Sequence, residues 1–270
     1  MSLPQPTSDD TVVITGASSG IGSELARRLA ARGHGVTLVA RRAERLEELA
    51  SELRDEHAAR VDVMPCDLAD APARSRLVAA VREGGGSVVG VCNNAGYGSY
   101  GKFQRQPLER EQEMVRLNVE ALHELSGAFL GPMIERGAGA ILNVASIAAF
   151  QPSAGFATYA GTKAFVQTFS ESLSADLAGT GVSCTVVCPG PVPTEFSDVA
   201  GTARFERLLP GFMSVSAEDV AKQAVDGMIA GRRSVVPGMP VKAIAVAGRY
   251  VPRTLLLPLS RRSGGSRLDT

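Results

Sequence analysis

What most constrains this chain is an alternation. Runs of strand length rich in Val, Ile and Thr take turns with segments of helical period, almost from end to end. TVVIT (11–15) precedes SELARRLAARG (23–33), which closes on Gly33 as a helix C-cap. VTLVA (36–40) precedes the charged amphipathic AERLEELASELRDEHA (43–58). VDVMPC (61–66) leads to a helix near 71–82, and SVVGVC (87–92) leads to two helices within 107–136, with a break expected near Gly131-Pro132. GAILNVA (139–145), a helix over about 157–178 and GVSCTVVC (181–188) follow, and a helix near 217–230 with a short strand near 234–236 completes the pattern.

Strands separated by helices pair in parallel, because each crossover brings the chain back to the same edge. The expected fold class is therefore α/β, a doubly wound Rossmann type. One catalytic domain is expected over 11–260, with residues 1–10 and 261–270 disordered.

Composition removes several function classes. Lys+Arg and Asp+Glu both total 28, so no field of one sign invites a nucleic acid. No apolar run approaches the roughly 20 residues that cross a bilayer, and MSLPQPTSDD lacks the pattern of a secretory signal. Cys66, Cys92, Cys184 and Cys188 fall in or beside strands and are expected as small buried hydrophobes in a reducing cytoplasm. His34, His57 and His123 lack ligand spacing, so no metal is expected.

The first strand runs straight into TGASSGIG (15–22), and a helix follows at once. Gly16, Gly20 and Gly22 let the backbone turn tightly and approach a pyrophosphate, and the helix N-terminus offers free N–H groups to the anion. Ser18, Ser19 and Ile21 of this loop are expected to line the same ligand. The second strand ends LVARRAE, with no acid to hold a ribose 2′-hydroxyl. Arg41, and after it Arg42, would instead grip a 2′-phosphate, so the expected cofactor is NADP(H).

The ordered motifs resemble the short-chain dehydrogenase/reductase family. They are TGASSGIG (15–22), CDL (66–68), NNAG (93–96), Asn118 in RLNVE, Ser146 in NVASIAA, Tyr159 and Lys163 in YAGTK, and CPGPVPT (188–194), and the resemblance covers about residues 11–240. It implies a seven-stranded parallel sheet and hydride transfer between a nicotinamide and a carbonyl or alcohol. It also implies that Asp67 and Leu68 meet the adenine, and that Asn93, Asn94, Ala95 and Gly96 support the cofactor. Pro189, Gly190, Val192 and Thr194 would border the nicotinamide. The catalytic set so implied is Asn118, holding a relay water, with Ser146, Tyr159 and Lys163; Tyr159 and Lys163 would also contact the cofactor, Lys163 through the nicotinamide ribose hydroxyls. Two departures stand out. Ser19 occupies a position that is often basic in NADP-preferring relatives, and Gly161 sits in mid-helix, where glycine costs about 0.5–1 kcal/mol relative to alanine. The alternative is a catalytically silent dinucleotide-binding regulator or scaffold.

The chemistry of the pair is direct. A free tyrosine has a pKa of about 10, too high for easy proton exchange near neutrality. An ammonium one helical turn away favours the phenolate and makes the phenol a better acid. Ser146, past the fifth strand, would hold the substrate oxygen.

Specificity is expected from Tyr97–Tyr100, from Phe150–Ser153 and from a lid over 195–213 carrying Phe196, Phe205, Leu208, Leu209, Phe212 and Met213. These apolar residues predict a small-molecule substrate that is a hydrophobic carbonyl or alcohol. The stretch 241–262 is apolar with basic punctuation; lying on a membrane surface, closing the cleft and packing at a subunit interface all suit it, and packing is expected over membrane contact. The resemblance implies a homo-oligomer, dimer or tetramer, built on the helices near 107–136 and 157–178.

Overall fold

Seven strands pair side by side in the order β3-β2-β1-β4-β5-β6-β7, and every pairing is parallel. They are β1 (Asp10–Thr15), β2 (Gly35–Ala40), β3 (Val61–Pro65), β4 (Ser87–Asn93), β5 (Gly139–Val144), β6 (Val182–Val187) and β7 (Ser234–Val235). This computed structural model describes residues 3–201, 214–256 and 258. The helices are α1 (Gly20–Ala30), α2 (Ala43–His57), α3 (Ala71–Glu83), α4 (Leu108–Val115), α5 (Leu122–Arg136), α6 (Ala157–Asp176), α7 (Glu195–Ala200), α8 (Ala217–Ile229) and α9 (Met239–Tyr250).

The strands read as continuous apolar runs because both faces of the sheet are covered. Successive residues point to opposite faces. Val12, Leu38 and Leu142 pack under Leu25, Leu46 and Met228 of α1, α2 and α8, while their neighbours Val13, Val39 and Ile141 meet Leu77, Leu125 and Phe129 of α3 and α5. Between β1 and β4 the winding reverses direction, which opens a crevice at the carboxyl ends of the strands.

Two expectations need correction. The helix of 107–136 is not interrupted at Gly131-Pro132; Pro132 lies inside α5. Proline leaves the carbonyl four residues earlier without its helical donor, and here the Arg82 guanidinium donates to that Ala128 carbonyl at 2.7 Å. The interruption falls instead at 116–121, a π-helical turn that carries Asn118. At the other end, where 1–10 was expected to be disordered, Leu3 is buried in the core under Gly90 and Asp10 opens β1, with exposed Gln5, Thr7, Ser8 and Asp9 between them.

The C-terminal segment folds back over the turn that follows β5. Val241 and Ala245 bury one face of α9, which lies on the 3-10 turn Ile147–Phe150 beyond β5. The helix ends before Pro252, and Leu256 reaches the crevice. Of the expected lid, 195–200 forms α7; Phe205, Leu208, Leu209, Phe212 and Met213 lie outside the described residues, as does the tail 261–270. Among the described residues no helix is long and apolar enough to cross a membrane.

Candidate active site

The loop between β1 and α1 is shaped by its glycines. Gly16 and Gly20 have φ of +66° and +57°, where a side chain would strain the backbone. Gly22 faces inward, and a Cβ there would collide with the Gly16 carbonyl. Thr15, at the end of β1, ties the loop to the β4 tip: its Oγ1 accepts from the N–H of Asn94 at 2.9 Å and of Ala95 at 3.0 Å. Asn94 returns the contact, with Nδ2 donating to the Thr15 carbonyl at 2.9 Å.

At the β2 tip the two arginines diverge. Arg41 is largely exposed and its nearest carboxylate, Glu113, is 3.7 Å away. Arg42 lies on the loop: its Nη2 donates to the Ser18 and Ser19 hydroxyls, both at 3.0 Å, while Nη1 pairs with Glu195 at 2.8 Å. Asp67 sits beyond them and folds its carboxylate onto the Ala69 N–H at 3.0 Å.

Tyr159 and Lys163 occupy the inner face of α6, both buried. The Lys163 Nζ donates to the Val144 carbonyl at 2.8 Å and lies 5.9 Å from the centre of the Tyr159 ring. Burial lowers the lysine pKa to about 8, because the charged form loses its hydration. Ser146 follows β5 and caps the turn Ile147–Phe150, its Oγ accepting from the Ala148 N–H at 3.1 Å.

Asn118 is almost wholly buried. Its Oδ1 accepts from the Tyr97 N–H at 3.1 Å, and its Nδ2 donates to the Tyr97 carbonyl at 2.9 Å and to the Thr162 hydroxyl at 3.1 Å. Thr162 in turn donates to the Tyr159 carbonyl at 2.8 Å. One amide thus ties the segment after β4 to the helix that carries Tyr159.

A cavity of about 810 Å³ runs through these groups. One end is the loop, with Gly16, Ser18, Ser19, Gly20 and Ile21; the flank holds Arg41, Arg42, Asp67, Leu68, Asn94, Ala95 and Gly96. The other end holds Ser146, Tyr159, Lys163, Pro189, Gly190, Val192 and Thr194. Gly22 and Asn118 stand behind the wall. Asn93 points away from the cavity, donating instead to Asn143 at 2.9 Å and Ser126 at 3.0 Å, because alternate strand residues face opposite ways. The substrate end is aromatic: ring centres of Tyr100 and Phe156 are 4.9 Å apart, those of Phe156 and Tyr159 6.0 Å, and those of Tyr159 and Phe196 5.5 Å.

The sequence reading missed Thr15, Thr162, Glu195 and Leu256. Thr15 had a signal, as a hydroxyl at the strand end just before the glycines; the others depend on contacts between distant segments. All four cysteines are free and buried, and no cluster among the described residues could hold a metal ion.

A family model described as short chain dehydrogenase matches residues 10–204. The chain belongs to the short-chain dehydrogenase family. Within that family it is similar to a sulfoacetaldehyde reductase from Chromohalobacter salexigens, 40% identical over 223 residues, covering 79% of this chain and 86% of that protein. Its structure is similar to a short-chain dehydrogenase from Sphingobium yanoikuyae in complex with NADPH, with TM-score 0.78 and 32% identity over 97% of this chain and 96% of that one. It is also similar to the bulky-bulky ketone specific alcohol dehydrogenase from Comamonas testosteroni, with TM-score 0.75 and 29% identity over 95% and 93% of the two chains. The seven-stranded parallel sheet of a short-chain dehydrogenase is the fold observed.

Proposed function

We propose that this short-chain dehydrogenase is an NADP(H)-dependent oxidoreductase that interconverts a hydrophobic ketone or aldehyde and its alcohol. The observation that carries the reading is one continuous cavity joining a phosphate-binding loop to a buried tyrosine–lysine pair. The residues present fit a dinucleotide. The loop has room only for backbone at Gly22, and Ser18, Ser19 and Arg42 carry donors suited to phosphate. The solved relative that binds NADPH supports the same choice. Arg41 and Arg42 would hold the 2′-phosphate, Asp67 and Leu68 the adenine end, Asn94 to Gly96 the middle, and Pro189, Gly190, Val192 and Thr194 the nicotinamide end.

When bound, the nicotinamide supplies or accepts the hydride. Tyr159 then hands its hydroxyl proton to the substrate oxygen in reduction and takes one back in oxidation. The Lys163 ammonium stabilises the phenolate that remains. Ser146 donates a hydrogen bond to the same oxygen and fixes its direction. Asn118 positions the catalytic helix through Thr162, and its Oδ1 keeps a lone pair for the relay water that the family resemblance implies. The silent-regulator alternative gains no support, since every group needed for proton transfer is present.

The walls support a hydrophobic substrate. Tyr100, Phe156, Phe196, Val199 and Leu256 line the end beyond Tyr159, and the basic side chains lining the cavity among the described residues are Arg41, Arg42 and Lys163. Both arginines lie at the β2 tip, so among the described residues no guanidinium lines the end beyond Tyr159 to meet a sulfonate like that of the relative's substrate. A neutral, bulky carbonyl fits better. A homodimer or homotetramer is expected, with exposed Val115 and Phe165 leaving apolar surface on the helices assigned to a subunit contact.

The test is NADPH oxidation followed by absorbance across aryl ketones, steroid-like ketones, short aldehydes and sulfoacetaldehyde. Turnover is expected with the bulky neutral compounds and not with Tyr159→Phe. Binding of NADPH without turnover of any compound would overturn the reading.

A further inference from the structure

The Arg42 guanidinium already has an anion. Its Nη1 pairs with the Glu195 carboxylate at 2.8 Å while Nη2 donates to Ser18 and Ser19, so the side chain bridges the phosphate loop and the first residue of α7. Glu195 also shares a hydrogen bond with Ser19, and Arg45 adds a weaker attraction. Together these contacts, the Arg42 hydrogen bond foremost, hold the carboxyl below the usual range, so it is ionised at neutral pH. Both partners line the cavity, and Thr194, the residue before Glu195, stands over Gly20. A carboxylate thus sits on the donors that a cofactor phosphate would use.

We propose that Glu195 is a cofactor-selectivity residue, a resident anion that must yield Arg42 to the 2′-phosphate and so limits the margin by which NADP(H) is bound over NAD(H). The inference rests on the NADP(H) reading above. Its logic is competition: one guanidinium serves two anions, and each disfavours the other. NADH lacks the 2′-phosphate and makes no demand on Arg42, so it leaves the Arg42–Glu195 pair in place. The pair is half exposed at both ends, and water screens it. Its influence is therefore modest and confined to the phosphorylated dinucleotide.

Dissociation constants for NADPH and NADH, read by fluorescence titration on the purified protein without substrate, test this in the wild type, Glu195→Gln, Arg42→Ala and the double variant. Glu195→Gln is expected to tighten NADPH about two- to five-fold and to leave NADH nearly unchanged. In the Arg42→Ala background the same substitution should give no NADPH-specific gain. An equal change for both dinucleotides, or weaker NADPH binding by Glu195→Gln, would overturn the selectivity role. If Arg42→Ala leaves the NADPH-to-NADH ratio untouched, Arg42 does not read the 2′-phosphate, and that part of the cofactor reading falls with the proposal. If Arg42→Ala lowers the ratio but Glu195→Gln does not raise it, the cofactor reading stands and only the proposal fails.

Discussion

Lys163 holds its ammonium 5.9 Å from the centre of the Tyr159 ring, one helical turn along α6, and anchors it on the Val144 carbonyl. That anchoring fixes the charge beside the phenol without consuming it in an ion pair. The pair is buried on the inner face of the helix, so neither residue is placed there for solubility.

Replacing Tyr159 by Phe keeps the ring contacts to Phe156 and Phe196 and removes only the hydroxyl. Turnover should fall by about 10²–10⁴-fold, the usual contribution of a positioned general acid. NADPH affinity should change far less than turnover. Steady-state kinetics and a cofactor titration on the same sample check both halves.

Lys163 has a folded-state pKa of about 8, against 10.5 for the free side chain. The folded protein therefore binds this proton less tightly than the unfolded chain does. The resulting cost to stability is fully present below pH 8 and fades as pH rises from 8 to 10.5. Lys163→Met should lose turnover yet unfold at a higher temperature than wild type at pH 7, with a gain of up to about 3 kcal/mol. The advantage should shrink steadily by pH 10. Thermal melts across pH would refute this if the gap between the two proteins stayed constant.

Arg42, laid on Ser18 and Ser19, should matter more than the exposed Arg41. Arg42→Ala should weaken NADPH about ten-fold or more, consistent with loss of a charge-assisted hydrogen bond. Arg41→Ala should cost less, and neither should weaken NADH as much. A larger effect at Arg41 would restore the order expected from the sequence.

Two glycines predict opposite outcomes. Gly22→Ala forces a Cβ onto the Gly16 carbonyl and should abolish dinucleotide binding or folding. Gly161→Ala meets nothing within 4 Å on an exposed turn of α6, and should stabilise by about 0.5–1 kcal/mol with kcat unchanged. Denaturant melts and kinetics on both variants decide the matter.

The strands were legible in the sequence because a sheet covered on both faces requires unbroken apolar runs, and β1 through β7 fall within a residue or two of the segments so read. The residues lining the cavity were legible because strand ends and glycine turns have local signatures. The interruption at 116–121 was not. Pro132 looked like the breaker, but Arg82 from another helix supplies the missing donor at Ala128, and no local pattern announces that rescue. The π-helical turn has no sequence signature either, yet it gives Asn118 its reach to Tyr97 and Thr162. Arg41 was expected ahead of Arg42; the contacts that set Arg42 apart, to Ser18, Ser19 and Glu195, join segments distant in the chain and have no local signature.

Leu256 brings the segment after α9 to the far wall of the cavity, beyond any strand of the sheet. The surface that greets a substrate is thus built from a segment on which the dinucleotide half does not depend. A lineage that swaps or trims this stretch can trade one metabolite for another while its redox engine stays untouched, which makes the C-terminus the cheapest place for such an enzyme to diversify.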